Sequence, residues 1–351
     1  MDQNKLRALR EKYGPAPEGT IFDPDFAEVG KQIFRGGRRL WPFAGISTFL
    51  DAPYRPQQDD RPDLDGLDYA FVGVPMDLGV TNRAGSRLGP RAVRAVERIG
   101  PYEHNLKIAP LADCAAADVG DVTMRSRYDL VSCHEDIEAY FDGVRAAGVV
   151  PLAIGGDHSI SLPILKALGR GRPLGLVHID AHCDTSGPYE GAKFHHGGPF
   201  RQAVLEGVLD PERTIQIGIR GAAEYLWEFS YESGMTVVHA EQVARLGIDA
   251  VVARAKAVIG DQPFYISFDV DSLDPAFAPG TGTPEIGGLT SLEAIEILRG
   301  LAGLPMVGGD VVEVAPQYDS TSNTAHAAAQ ILFTMFCLAR LAEPARQRAG
   351  W

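Results

Sequence analysis

Cysteine is scarce and scattered. The chain has four in 351 residues, Cys114, Cys133, Cys183 and Cys337, and none forms a C-x-x-C pair. A disulfide framework is not expected, and a reducing cytoplasm is the default setting for such a chain. No apolar run reaches the roughly 18–20 residues that span a bilayer. The opening residues, MDQNKLRALREKYGP, lack the apolar segment and cleavage site of a secretory leader. Positive charge is in deficit: 33 Lys and Arg against 46 Asp and Glu leave a net charge of −13. A nucleic-acid surface needs clustered cations, and the one basic cluster, Arg35 to Arg39, reads as a short solvated turn. An acidic field suits a cationic partner instead. With 45% apolar and 23% charged residues, the composition is that of an ordinary globular chain.

Residues 1–66 are dense in Pro, Gly, Asp and Arg. They read as an irregular N-terminal extension, packed on the main body or a neighbouring subunit and reaching towards an active-site mouth. From residue 67 to the end at 351, short apolar runs alternate with amphipathic stretches. Strands are expected at 69–75, 149–155, 174–180, 214–220, 235–240, 263–269 and 306–314. Helices are expected at 90–98, 130–147, 160–168, 199–208, 221–230, 246–259, 291–302 and 322–340. Continuous Val, Ile and Leu suit strands buried on both faces, and βαβα alternation predicts one parallel sheet with helices on either side.

Sites in such sheets form at the carboxyl ends of the strands, where the polar motifs fall. LAIGGDHSIS ends a strand at Ile154, turns on Gly155 and Gly156, and presents Asp157 and His158. VHIDAHCDT places Asp180, His182 and Asp184 at alternate positions, which in extended chain point one way. YISFDVDSLDP repeats the pattern with Asp269 and Asp271, followed by Asp274. Burying such carboxylates and imidazoles together is costly unless cations neutralise them. His158, Asp180, His182, Asp184, Asp269 and Asp271 are too many ligands for one open site. Bridging carboxylates between two ions explain the number. Oxygen-rich ligation with some imidazole suits Mn²⁺ and accommodates Ni²⁺.

GGDHS, DAHCD and SFDVDSLDP, in this order and spacing, resemble the signature segments of the ureohydrolase family. The family includes arginases, agmatinases and guanidino-acid hydrolases, and the resemblance spans roughly residues 67–345. It implies a three-layer α/β/α domain around an eight-stranded parallel sheet. It also implies a pair of divalent ions, commonly manganese, that hydrolyse a guanidino group to urea and an amine, and assembly as homo-trimers or hexamers. His158, Asp180, Asp184 and Asp269 would hold one ion and Asp180, His182, Asp269 and Asp271 the other. FHHGGPFR resembles the loop whose His moves a proton, with His196 the match and His195 a surface-loop neighbour. DVVEVAP resembles the segment that sets an acid, Glu313, against the guanidinium. The ions activate water as nucleophile, Asp271 helps stabilise the tetrahedral intermediate, and Asp271, Asp274 or His196 protonates the departing amine. Cys183 stands among carboxylates, which raise a thiol pKa, so it is not expected to be a nucleophile.

The stretch FVGVPMDLGVTNRAGSRLGPRAVR points to the agmatinase and guanidinobutyrase side of the family. RAGSR from Arg83 replaces the usual RPGAR, and Gly198 replaces Thr in the usual HGTPF. Both departures fall where the resemblance places the substrate tail. Asp51, in STFLDAPY, is acidic where tail contacts are expected. An acid there favours a small cationic or neutral guanidino substrate over a carboxylate-bearing one. The competing readings are hydrolysis of guanidine or a biguanide-type compound, hydrolysis of a formimino amino acid, and a non-catalytic subunit of a hetero-oligomer. No membrane or nucleic-acid role is expected.

Overall fold

The computed structural model describes residues 1–351 except 18, 34–43, 59, 97, 98 and 222; the Arg35–Arg39 cluster lies outside the described residues. The strands are β1 (Tyr69–Gly73), β2 (Ala116–Asp121), β3 (Val150–Ile154), β4 (Leu174–Ile179), β5 (Leu209–Ile219), β6 (Thr236–His239), β7 (Phe264–Asp269) and β8 (Met306–Val312). The helices are α1 (Gln3–Tyr13), α2 (Pro24–Ile33), α3 (Gly89–Arg94), α4 (Leu130–Ala146), α5 (Ser161–Gly169), α6 (Pro199–Leu205), α7 (Glu228–Glu232), α8 (Ala240–Leu246), α9 (Ile248–Ile259), α10 (Ser291–Gly300), α11 (Asn323–Leu341) and α12 (Glu343–Arg348). The chain divides into two compact units, Met1–Trp41 and Pro42–Trp351.

In the first unit, the expectation of an irregular segment fails. α1 is capped by Asp2, whose carboxylate accepts from the Asn4 N–H. QNKLRALREKY is a run of good helix formers, and the turn-rich residues after it masked that signal. Tyr13 and Phe22 meet edge to face at 5.1 Å.

The second unit carries one sheet in the order β2-β1-β3-β8-β7-β4-β5-β6. Every neighbouring pair is parallel. Alternate side chains supply two cores. Phe71, Val177, Ile179, Ile266 and Phe268 pack towards α9, α10 and α11. Ala70, Val72, Leu176 and Tyr265 pack with side chains of α4, α5 and α6 on the other face. Period-2 alternation between two apolar faces is why these strands read as continuous hydrophobic runs. α11 is long and apolar enough to cross a membrane, but most of it is buried here. Its Phe336 lies edge to face on Tyr69 and Phe71, at 5.4 and 5.0 Å.

The sequence pattern indicates seven strands, and the one it misses is β2. AADVGD has few branched apolar residues because it is an edge strand with only one neighbour in the sheet. Beside it lies part of the sequence-defined extension. Phe49 is buried, its N–H donates to Asp118 Oδ2 at 3.0 Å, and the Arg94 guanidinium covers its ring at 4.1 Å.

Candidate active site

Strand order assembles the site. β3, β8, β7 and β4 are consecutive neighbours, so their carboxyl ends bring His158, Glu313, Asp269 with Asp271, and Asp180 with His182 and Asp184 to one place. Close packing at the β3 turn explains its glycines. A Cβ on Gly156 would sit 1.6 Å from the Met76 carbonyl oxygen.

His158 Nδ1 is buried with no hydrogen-bond partner. Around it stand Asp184 Oδ2 at 2.9 Å, Asp180 Oδ2 at 3.0 Å and Asp269 Oδ2 at 3.3 Å. The other ring nitrogen is committed: Nε2–H donates to Ser267 Oγ at 2.8 Å, and Ser267 donates to Asp310 Oδ1 at 2.6 Å. This relay leaves the Nδ1 lone pair facing the carboxylates. His182 Nδ1 lies 3.2 Å from Asp271 Oδ2 and 3.5 Å from Asp180 Oδ1. Asp180 thus belongs to both groups of donors.

The cluster lacks positive charge. Burial, then repulsion from Asp271 and Asp180, holds Asp269 well above the usual carboxylate range. Burial and Asp180 likewise raise Asp271. Burial works against a proton on His158 and His182, yet the surrounding carboxylates outweigh it and hold both well above the ordinary imidazole value. An unpaired nitrogen with carboxylates about 3 Å from it and a demand for cations are compatible with a paired-ion site, with Asp180 in both donor groups. Six residues meet as the spacing of the motifs indicates.

Several supporting residues carry no motif of their own. His178 Nε2–H donates to Asp180 Oδ2 at 2.7 Å, and its Nδ1 accepts from Gln216. The signal was present, since His178 extends the 180, 182, 184 alternation by one step. Asp310 is fully buried under the relay, and an acid inside an apolar strand was its mark. Arg220 donates to the carbonyls of Gly218, Asp271, Ser272, Leu273 and Glu285, which braces the loop after β7. Nothing local in the sequence marks it.

Glu313 is buried at a left-handed φ of 64°. Its Oε1 accepts from the His158 N–H and from His196 Nδ1–H, each at 2.9 Å. Its Oε2 is buried without a partner. His196 Nε2 faces Thr81, with Oγ1 at 2.6 Å and the N–H at 3.1 Å. Burial lowers the His196 pKa, but the bond to Glu313 and nearby carboxylates raise it to about 9. The Thr81 N–H opposes that shift, because it needs the lone pair of a neutral ring. Burial pushes the Cys183 thiol up to about 12, so it is no nucleophile.

A cavity of about 400 Å³ opens over the cluster; His182, Asp184, His196, Asp269 and Asp271 border it, and Tyr189, Tyr225 and Trp227 stand farther along its wall. Five expectations change here. His195 is not a surface-loop residue: it is buried, donates its Nε2–H to Gly187 O at 2.9 Å and lines the cavity. Asp274 is not poised as an acid. The N–H groups of Ala276, Gly287 and Gly288 hold it below the usual carboxylate range, as a staple of its own loop. Asp51 is exposed and does not border the cavity, because Phe49 anchors that turn beside β2 at the far edge of the sheet. Arg83 and Gly198 also stand back from it. Arg83 donates to the Thr281 and Gly282 carbonyls and stacks on Tyr318, while Gly198 packs against His195 and Ser186.

Behind the site, His134 Nε2 lies 3.1 Å from Ser159 Oγ, and burial lowers its pKa to about 4. The unfolded imidazole, near 6.5, binds its proton more tightly. His134 therefore contributes stability that is complete above pH 6.5 and lost as pH falls towards 4, up to about 3 kcal/mol. Denaturant melts at pH 7 and pH 5 are expected to show a smaller difference in His134→Gln than in the native chain.

Fold and donor set define a metallohydrolase with a paired-ion centre. The arginase family model matches residues 67–337, and the chain belongs to the arginase family. It is 48% identical over 311 residues to guanidinopropionase of Pseudomonas aeruginosa, covering 88% of this chain and 95% of that protein. It is also 48% identical over 298 residues to mitochondrial agmatinase of Gallus gallus, covering 84% and 86%. Among solved structures, proclavaminate amidino hydrolase from Streptomyces clavuligerus superposes with a TM-score of 0.81 at 35% identity, covering 86% of this chain and 99% of that one.

Proposed function

We propose that this chain hydrolyses the guanidino group of a small cationic or neutral substrate, releasing urea and an amine. The observation that carries the reading is the unpartnered His158 Nδ1 among three carboxylates, beside a buried Glu313 with one free oxygen. Two divalent ions, Mn²⁺ or Ni²⁺, held by His158, Asp180, His182, Asp184, Asp269 and Asp271 would polarise the guanidino group and lower the pKa of water. Glu313 Oε2 accepts from the guanidinium and orients its carbon over the cluster. Asp271, steadied by Thr283 Oγ1 at 3.3 Å, accepts from the N–H groups of the tetrahedral intermediate. His196 passes a proton to the departing amine, and Glu313 and Thr81 hold its ring in place. Asp274 takes no part.

The wall supports the choice of tail. Its one guanidinium, Arg220, is spent on five carbonyls, and Glu285 adds a carboxylate 3.8 Å from His182 Nε2. Among the described lining residues there is no second arginine and no lysine, and the two Nη groups of Arg220 already serve carbonyls, with only its buried Nε unpartnered. The reading includes a homo-trimer or hexamer in the cytoplasm.

The test is urea release by protein reloaded with Mn²⁺ or Ni²⁺. The panel is agmatine, guanidinobutyrate, guanidinopropionate, arginine, guanidine and a dimethylbiguanide. We expect agmatine or a neutral guanidine to exceed both guanidino acids in kcat/KM. No urea from any compound, with two ions bound per chain, would overturn the proposal.

A further inference from the structure

A second cavity, of about 570 Å³, opens at the opposite edge of the sheet. It lies at the amino ends of β1, β3 and β8, where Tyr69, Val150 and Val307 line it. The intervening strands place it roughly 17–20 Å from the metal cluster. Four arginines share its wall: Arg145, Arg172, Arg340 and Arg346. Among the described residues, none of them has a carboxylate within 4.0 Å. Arg346 is buried and the other three are half-buried.

Part of their hydrogen bonding is structural. Arg145 donates to Ala167 O, Arg172 to Ala349 O and Gln262 Oε1, and Arg346 to Met306 O, Ala339 O and the Tyr69 hydroxyl. Carbonyls satisfy donors but leave the charge uncompensated. Arg340 is less satisfied still. Its Nε is buried with no partner, and its guanidinium shares the Tyr69 ring with that of Arg346, at 5.8 and 5.7 Å. Three carboxylates, Asp68, Asp113 and Glu343, also border the cavity, but all are exposed. Solvated acids surround a floor of partly desolvated guanidiniums. Such a floor accepts a compact anion, and the acidic surround disfavours an extended polyanion.

We propose that this cavity binds a small phosphate- or carboxylate-bearing molecule through Arg340, Arg346, Arg145 and Arg172. Guanidiniums match both groups through paired N–H donors. Because the sheet separates it from the metals, the ligand does not compete with a substrate there.

The test is isothermal titration of the metal-loaded full chain with inorganic phosphate and, separately, with succinate, each against sodium chloride at equal ionic strength. We expect saturable binding of at least one, with Kd weakened tenfold or more in Arg340→Gln and in Arg145→Gln. Both variants should keep native metal content. Phosphate alone binding identifies a phosphate-bearing ligand, and succinate alone a carboxylate. No saturable binding beyond chloride overturns the proposal. So does binding undiminished in both variants, which would assign the anion to the metal cluster. If Arg340→Gln fails to fold, Arg145→Gln decides.

Discussion

Asp180→Asn is expected to abolish the paired-ion centre while leaving the fold intact. Asp180 is fully buried and stands in both donor groups, 3.0 Å from His158 Nδ1 and 3.5 Å from His182 Nδ1. An amide presents one neutral oxygen where a carboxylate would offer two charged ones. Elemental analysis should find the content reduced from two ions per chain to one or fewer. Urea release should fall by more than the roughly 10–100-fold that loss of an outer hydrogen-bond partner costs. His178→Asn, which removes such a partner, supplies that comparison. Stability separates the two further. Ions at about 1,000 times their Kd add about 4 kcal/mol to a folded protein that binds them. Added Mn²⁺ or Ni²⁺ should raise the melting temperature of the native chain and scarcely move that of Asp180→Asn. An Asp180→Asn protein with two ions and native kcat would remove Asp180 from the site.

His196→Asn is expected to lower kcat by about 100- to 10,000-fold with both ions still bound. His196 contacts Glu313 and Thr81, so metal content should stay native. The bond to Glu313 raises the His196 pKa, to about 9, and in its charged form the ring can donate a proton. Activity carried by that proton is present below the pKa and lost as pH rises through it. Bound cations and the Thr81 N–H both oppose the imidazolium, so the alkaline limb of kcat should fall below 9. Asn cannot titrate, and the limb should disappear. A limb that persists unchanged in His196→Asn assigns the proton to another group.

The clustered acids and histidines were legible because their signal is local. Asp180, His182 and Asp184 follow within five residues of the end of β4, so the chain gathers them at one strand end, with Asp184 turned inwards at a left-handed φ of 51°. His158 and Glu313 owe their place to turns immediately after strands. The misplacements share a different cause. Asp274 sits three residues from Asp271 and reads as one more site acid, but Oδ1 accepts from the Ala276 N–H and Oδ2 from Gly287 and Gly288 across a loop. Asp51 follows Phe49, and where Phe49 is buried decides where Asp51 can reach. His195 and His196 are neighbours of one residue type, and only the packing of His195 against Gly198 and Gly187 shows that it too is inside.

By itself, then, the chain determined its layers, its parallel strands and which acids and histidines follow the strand ends. Periodicity and strand-end spacing are properties of a few consecutive residues. Tertiary structure alone decided that β8 and β7 enter between β3 and β4, which turns separate strand ends into one cluster. It also decided which charges remain available. The Arg220 Nη groups and Asp274 are taken by backbone groups, while Glu313 Oε2, Arg220 Nε and Arg340 Nε are left unpaired. A hydrogen-bond partner is set by residues tens or hundreds of positions away, and no local pattern encodes that pairing.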